Sequence, residues 1–134
     1  MSIRIMFFAF NPEATFRINH SFLENERINV TGYVSCSDNY LELYRQLSPD
    51  IICYHFGTIN IARYEYEFSC KLLAVTEYFC QEDQRLTMDL AKSKTNSGLN
   101  IVGYVQNEKH LLASAINLVD SGKECYFPEG VTPQ

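Results

Sequence analysis

The sequence predicts an α/β domain built on a doubly wound, parallel β-sheet, and three observations lead there. Apolar runs such as "IRIMFFAF" (3–10) and "DIICYHF" (50–56) are continuous rather than alternating, as expected of strands covered on both faces. Segments of helical periodicity separate the strand-like runs, so the first half reads strand, helix, strand, helix, strand, the order of right-handed parallel crossovers. The 134 residues, 46% hydrophobic and 20% charged, make one domain with a real core and fit neither disorder nor a coiled coil.

The first strand stops at "NPEA". Asn11 can cap, Pro12 suits a first helical position that needs no amide hydrogen, and Glu13 complements the positive helix end. A helix from Pro12 to about Glu24 follows, with Ala14, Ile18 and Phe22 on one face and Leu23 beside them. "INVTGYVSCS" has the β-branched content of a second strand. "SDNYLELYRQL" then spaces Tyr40, Leu43, Tyr44 and Leu47 as a helix behind a Ser37 or Asp38 cap, and Pro49 closes it. "DIICYHF" is the third strand.

Residues 57–98 admit two parses. In the first, which we favour, "KLLAVTE" is a fourth strand after a shortened helix in 60–69, and a helix runs from Gln81 to about Thr95. Its acidic start (Glu82, Asp83), basic end (Lys92, Lys94) and Gly98 stop suit that reading. In the second, Ile61, Tyr64, Phe68, Leu72, Val75 and Phe79 recur as on one long helix, and Leu86, Met88 and Leu90 alternate as the strand. "LNIVGYV" is the last strand. "EKHLLASAINLVDSG" is the last helix, with Leu111, Leu112, Ala115 and Val119 as its buried stripe and Gly122 as its end. We divide the chain into a domain over 1–122 and a turn-rich tail over 123–134.

Charge and composition exclude several classes. A formal charge of -5, with eleven scattered Lys and Arg, offers no footprint for a nucleic-acid backbone, so no direct nucleic-acid binding by this domain is expected. No run of eighteen apolar residues and no signal-peptide pattern occurs, so we expect a cytoplasmic protein that does not enter the membrane. Cys36, Cys53, Cys70, Cys80 and Cys125 form no C-x-x-C and have no His at zinc spacing. They read as reduced, mostly buried small hydrophobes, and neither a metal nor another cofactor is expected.

In such a sheet, ligands gather at the carboxyl ends of the strands. That rim comprises Ala9, Phe10 and Asn11, then Ser35 to Ser37, His55 to Gly57, Thr76, and Gln106 with Asn107, none of them acidic. "IRIMFFAFNPEA", "SPDIICYHFG", "GYVQN" and "GKECYFPEGVT" together resemble the receiver domain of bacterial response regulators, especially those joined to a LuxR-type helix-turn-helix. The resemblance covers nearly the whole chain in layout but only these four places in specific residues. It implies the flavodoxin-like receiver fold, a five-stranded (βα)5 sheet in the order 2-1-3-4-5.

The resemblance also implies a site. Typical receivers end strand one in two acidic residues that help hold magnesium, and end strand three in an aspartate that accepts phosphate. They carry a Thr or Ser after strand four, an aromatic in strand five, and a lysine three residues later. By position, the acidic pair falls on Ala9 and Phe10, the phosphoacceptor on His55, the switch hydroxyl on Thr76, the switch aromatic on Tyr104 and the lysine on Asn107, with Lys109 nearby. Four of these six positions, Ala9, Phe10, His55 and Asn107, hold a different residue type.

Alanine, phenylalanine and imidazole supply none of the carboxylates magnesium wants, so acyl-phosphate chemistry is not expected. Phosphoryl transfer to the His55 ring would lack a metal or lysine to hold the phosphate charge, and a structural histidine is the plainer reading. Phe10 plugs the old metal pocket or simply extends the core of "IMFFAF", and both readings close it. Cys53 and His55 share a strand face, but packing outranks a thiol and base pair because no third orienting group is in sight. There is no G-x-S-x-G elbow, no Gly-rich phosphate loop and no H-E-x-x-H.

The expected function is therefore that of a phosphorylation-independent receiver and dimerisation domain of a transcription regulator. It would act as a homodimer through its helical and fifth-strand surfaces, with a DNA-binding domain beyond Gln134. A free-standing interaction module of the same fold is the alternative, and an enzyme using Cys53 or His55 ranks third. For Tyr104, a switch role and an ordinary strand aromatic stay equally open.

Overall fold

A computed structural model describes residues 2–9, 27–55, 64, 67–76, 101–106, 109–123 and 125–126. Its elements are β1 (Ile3–Ala9), β2 (Ile28–Ser35), α1 (Tyr40–Leu47), β3 (Ile51–His55), β4 (Lys71–Thr76), β5 (Ile101–Gln106), α2 (Lys109–Asp120) and β6 (Cys125–Tyr126). The strands form one sheet in the order β2-β1-β3-β4-β5-β6 with every neighbouring pair parallel. The five expected strands are thus present in the expected order, as in the flavodoxin-like receiver fold. The predicted helices at 12–24, 60–69 and 81–95 fall largely or wholly outside the described residues.

The central strands are buried on both faces, which explains their unbroken apolar sequences. Ile5 to Phe8, Ile52 to Tyr54 and Leu73 to Val75 are all fully buried. One register row crosses all six strands through Tyr33, Phe7, Cys53, Leu73, Gly103 and Cys125. The sheet separates two layers. On one side α1 lies over Phe8, whose ring meets Tyr40 at 5.6 Å. On the other, Leu112, Ala115, Ile116 and Val119 of α2 join the core, and the Lys71 ammonium donates to the Val119 carbonyl at 2.8 Å. That bond brings a cationic donor to a carbonyl in the last turn of the helix, where the helix dipole favours positive charge.

Details of the strand starts and helix ends follow from local chemistry. The Asp50 carboxylate accepts from the Arg4 amide and the Asp50 amide donates to the Arg4 carbonyl, both at 2.8 Å, which locks β3 alongside β1. The Arg4 guanidinium reaches the Leu47 carbonyl at 2.7 Å and ties α1 to the same corner. After α2, the Gly122 amide donates to the Val119 carbonyl and the Lys123 amide to the Leu118 carbonyl. Gly122 has φ 92°, so the helix ends in a Schellman turn that only glycine forms without strain.

Two of the five pairings contain an irregularity. Between β1 and β2 the register moves from Ile5↔Val30 to Met6↔Gly32, which leaves Thr31 as an extra residue. The Thr31 hydroxyl donates to the Ile5 carbonyl at 2.9 Å and heals the local break in the ladder. Between β4 and β5 the register moves from Leu72↔Ile101 to Leu73↔Gly103, so Val102 is the extra residue there.

Three expectations are corrected, and the favoured strand over Lys71–Thr76 is upheld against its long-helix alternative. The N-cap of α1 is Asn39, with no capping side chain bond, because the Asp38 carboxylate instead accepts from the Ser35 amide at 2.9 Å. The long-helix parse of 57–98 fails, because Lys71 to Thr76 pair with both β3 and β5, and Phe68 packs as a loop residue at 3% exposure. The buried stripe of α2 includes Ile116, whereas Leu111 is only half-buried. Finally, the segment read as tail supplies a sixth strand, for Cys125 and Tyr126 pair with Gly103 and Tyr104. Among the described cysteines, Cys53 and Cys125 are buried, Cys36 and Cys70 are half-buried, and none of the four is in a disulfide.

Candidate functional site at the carboxyl rim

Parallel strands bring their carboxyl ends to one rim, and there the chain gathers Ser35, Ala9, His55, Thr76 and Gln106 in spatial order. Ala9 pairs with Ser35 across β1 and β2, and Thr76 pairs with Gln106 across β4 and β5. Ala9 and His55 each lie one residue beyond the Phe8↔Tyr54 pair, and His55 pairs on its other side with Val75. Tyr104 lies further down β5, in register with Ala74 and Tyr126. Phe10 and Asn107 lie outside the described residues, and Lys109 opens α2.

His55 is a buried side chain, only 6% exposed, as is Ser35 at 7%. Beyond Ser35 the chain folds into a polar turn. The Asp38 amide donates to the Ser35 carbonyl at 3.0 Å, the Ser37 amide donates to the Ser35 hydroxyl at 3.2 Å, and the two serine hydroxyls are bonded at 2.9 Å. The Asp38 carboxylate therefore serves the main chain of its own turn.

Beneath this rim lies an aromatic floor. Phe8 meets Tyr64 at 5.2 Å with planes at 90° and Phe68 at 5.4 Å with planes at 77°, and Tyr44 meets Phe68 at 4.9 Å. These edge-to-face contacts place ring edges against ring faces, the arrangement aromatic quadrupoles favour. The outer hydroxyls are anchored at the surface. Tyr40 donates to the Glu67 carboxylate at 2.5 Å, which with burial pushes its hydroxyl up to about 12, and Tyr44 pairs with Ser69 at 3.0 Å.

Tyr54 differs from the other tyrosines. It is fully buried in β3, its hydroxyl has no hydrogen-bond partner among the described residues, and burial pushes its ionisation well above the ordinary value of 10.0. Sequence reasoning passed over both Tyr54 and Lys71. A tyrosine in an apolar strand carries no sign that its hydroxyl will be orphaned, and a lysine that caps a helix 48 residues away has no local signature.

The donor set tests the magnesium site that the resemblance implies. Ala9, Phe10 and His55 provide one imidazole and no carboxylate at the ends of β1 and β3, so they do not fit a hard cation that wants oxygen ligands. Among the described residues, no three His, Cys, Asp or Glu side chains are placed to hold a metal ion. Cys53 is fully buried, and desolvation holds its thiol strongly in the neutral form, the opposite of an activated nucleophile. No described helix is long and apolar enough to cross a membrane.

No protein-family model matches the sequence, and no curated protein matches it. Solved structures do. The isolated receiver domain of RcsB from Salmonella enterica serovar Typhimurium, determined with the phosphomimetic BeF3-, is similar with a TM-score of 0.70 at 18% identity, over 96% of this chain and 95% of that one. A LuxR-family two-component response regulator from Aurantimonas sp. SI85-9A1 is similar with a TM-score of 0.67 at 17% identity, over 96% and 92%. So is RcsB in a structure of two dimers bound to two parallel DNAs, with a TM-score of 0.70 at 18% identity, over 96% of this chain and 65% of that one. At these identities the likeness is one of fold, that of the receiver domains of LuxR-type response regulators.

Proposed function

We propose that this chain is a receiver-fold signalling domain of a LuxR-type transcription regulator that works without phosphorylation and without catalysis. The observation that carries the reading is the residue set at the ends of β1 and β3. Ala9, Phe10 and the buried His55 stand where a receiver needs three carboxylates. Phosphoryl transfer to a carboxylate needs that carboxylate and a cation to neutralise developing charge, and this rim provides neither. The buried, neutral Cys53 thiol supports the non-enzymatic reading.

Output then rests on surfaces, and we place a homodimer contact on α2 and the neighbouring β5 side. On α2, Ser114, Asn117 and Asp120 are exposed while Leu111, Ala113 and Leu118 are half-buried, a mixed surface suited to a reversible contact. The likeness to RcsB, solved as dimers on DNA, supports a regulator with a DNA-binding output supplied by a separate domain. The net charge of -5 is consistent with leaving DNA contact to that other domain. We assign the protein to the cytoplasm on the same reading.

The test is incubation with magnesium and either acetyl phosphate or beryllofluoride, followed by intact mass spectrometry and sedimentation velocity. We expect no mass increase and an association state unchanged by either reagent. A covalent phosphate, or magnesium-dependent association, would overturn the reading.

A further inference from the structure

The sixth strand is the feature the receiver reading does not absorb, and its direction carries the consequence. Helix α2 runs back against the strands. Lys71, the first residue of β4, reaches the Val119 carbonyl, and Arg27, just ahead of β2, reaches the Asp120 carboxylate at 3.1 Å. Both cations stand where strands begin, so α2 ends at the amino end of the sheet, opposite the rim. A chain that left the domain at that point would head away from Ser35, His55 and Gln106.

The chain turns back instead. The Gly122 amide donates to the Val119 carbonyl at 3.0 Å, the Lys123 amide to the Leu118 carbonyl at 3.1 Å, and the Ser121 hydroxyl to that same carbonyl at 2.7 Å, so the turn after α2 is fixed. β6 then runs parallel to β5, with Cys125 level with Gly103 and Tyr126 level with Tyr104. Its seat is close and firm. Cys125 is 2% exposed, β6 packs against α2 as well as β5, and a Cβ built on Gly103 would meet the Cys125 carbonyl oxygen at 1.6 Å. Together β5, α2 and β6 make one more parallel crossover unit, and the last strand of such a unit heads for the carboxyl ends of its neighbours.

We propose that the chain leaves this domain toward the carboxyl rim, so that the face without acidic residues at its strand ends is the one presented to whatever the chain carries beyond β6. On the regulator reading this is the output domain, and the rim is where receiver and output domain meet. The exit direction itself rests on the strand polarity alone.

The test uses the whole chain with a short lanthanide-binding peptide added after Gln134, loaded with gadolinium or, as the diamagnetic reference, with lanthanum. Amide relaxation enhancements are read by NMR at the two ends of β5 and of α2. Even a fully flexible tether of the length of residues 127–134 has a root-mean-square span of about 15–17 Å, against about 18 Å for the length of α2, so the tag stays nearer the end toward which it starts. We expect enhancements at Gln106 and Leu111 about threefold or more above those at Ile101 and Ser121. Equal enhancement at the two ends, or the reverse order, would overturn the proposal. Phosphate uptake in the acetyl phosphate experiment would refute the phosphorylation-free reading and leave the exit direction standing, so the two failures are distinguishable.

Discussion

Replacing Tyr54 by phenylalanine should make the protein more stable. The residue is fully buried, and its hydroxyl is the one described side-chain polar atom that is buried without a hydrogen bond. An unsatisfied buried donor costs about 1–3 kcal/mol in lost hydration, while phenylalanine keeps the ring and its packing. Taking the lower part of that range, because some relaxation accompanies any substitution, Tyr54→Phe should gain about 1 kcal/mol. For a chain of this size that gain raises Tm by roughly 3–5 °C. The chain has no tryptophan, so urea unfolding followed by far-UV circular dichroism is the natural assay. With an m-value of about 2 kcal/mol per molar urea, the midpoint should move up by about 0.5 M without a change in slope. A loss of about 1 kcal/mol or more would refute the reasoning, because it would mean that the hydroxyl makes a bond worth keeping.

Three further outcomes follow from the same structure. Alkali should unfold the protein early, because the fold holds Cys53, Cys70 (about 11), Tyr40 (about 12) and Tyr54 protonated beyond their ordinary values of 9.0 for thiols and 10.0 for tyrosines. The unfolded chain then binds fewer protons than the folded one, so this stability is complete below about pH 9 and is lost as pH climbs toward the folded values, which a pH series of urea midpoints will trace. Phe8→Ala should cost about 3–5 kcal/mol in the same urea assay, since it empties the centre of the contacts with Tyr40, Tyr64 and Phe68. His55→Asp should lose about 1–3 kcal/mol by placing a carboxyl at a buried strand end, and should still take up no phosphate from acetyl phosphate by mass spectrometry, because Ala9 and Phe10 remain.

Much of the fold is legible in the sequence because burial on both faces writes itself as an unbroken apolar run. "IRIMFFAF" and "DIICYHF" could hardly be anything but central strands, and Gly122 announces the end of α2 through the left-handed turn it forms. The residue types at the rim were equally readable, since position along a strand is enough to say that Ala9 and His55 reach the same end. What stayed hidden depends on distant partners. "KLLAVTE" satisfies both helical and strand spacing, and only its pairing with β3 and β5 decides between them. β6 is too short to leave a periodic trace, and the reason for Gly103 lies in Cys125, which is 22 positions away. Asp38 resembles a helix cap in sequence but is claimed by the Ser35 amide three residues behind it.

Thr31 has a consequence for how β2 is read. Ile28 and Val30 pair with Ile3 and Ile5, and Tyr33 pairs and stacks with Phe7 at 5.1 Å, although Tyr33 is an odd number of residues from Val30. Strict alternation would have put Gly32 and Val34 beside Ile28 and turned Tyr33 to the opposite layer. The one extra residue is thus a phase slip, which lets a strand with the wrong parity place both its halves correctly. Deleting the single residue at 31 would bring Ile28, Val30 and Tyr33 into strict alternation, so β2 would seat all three against β1 through an unbroken ladder.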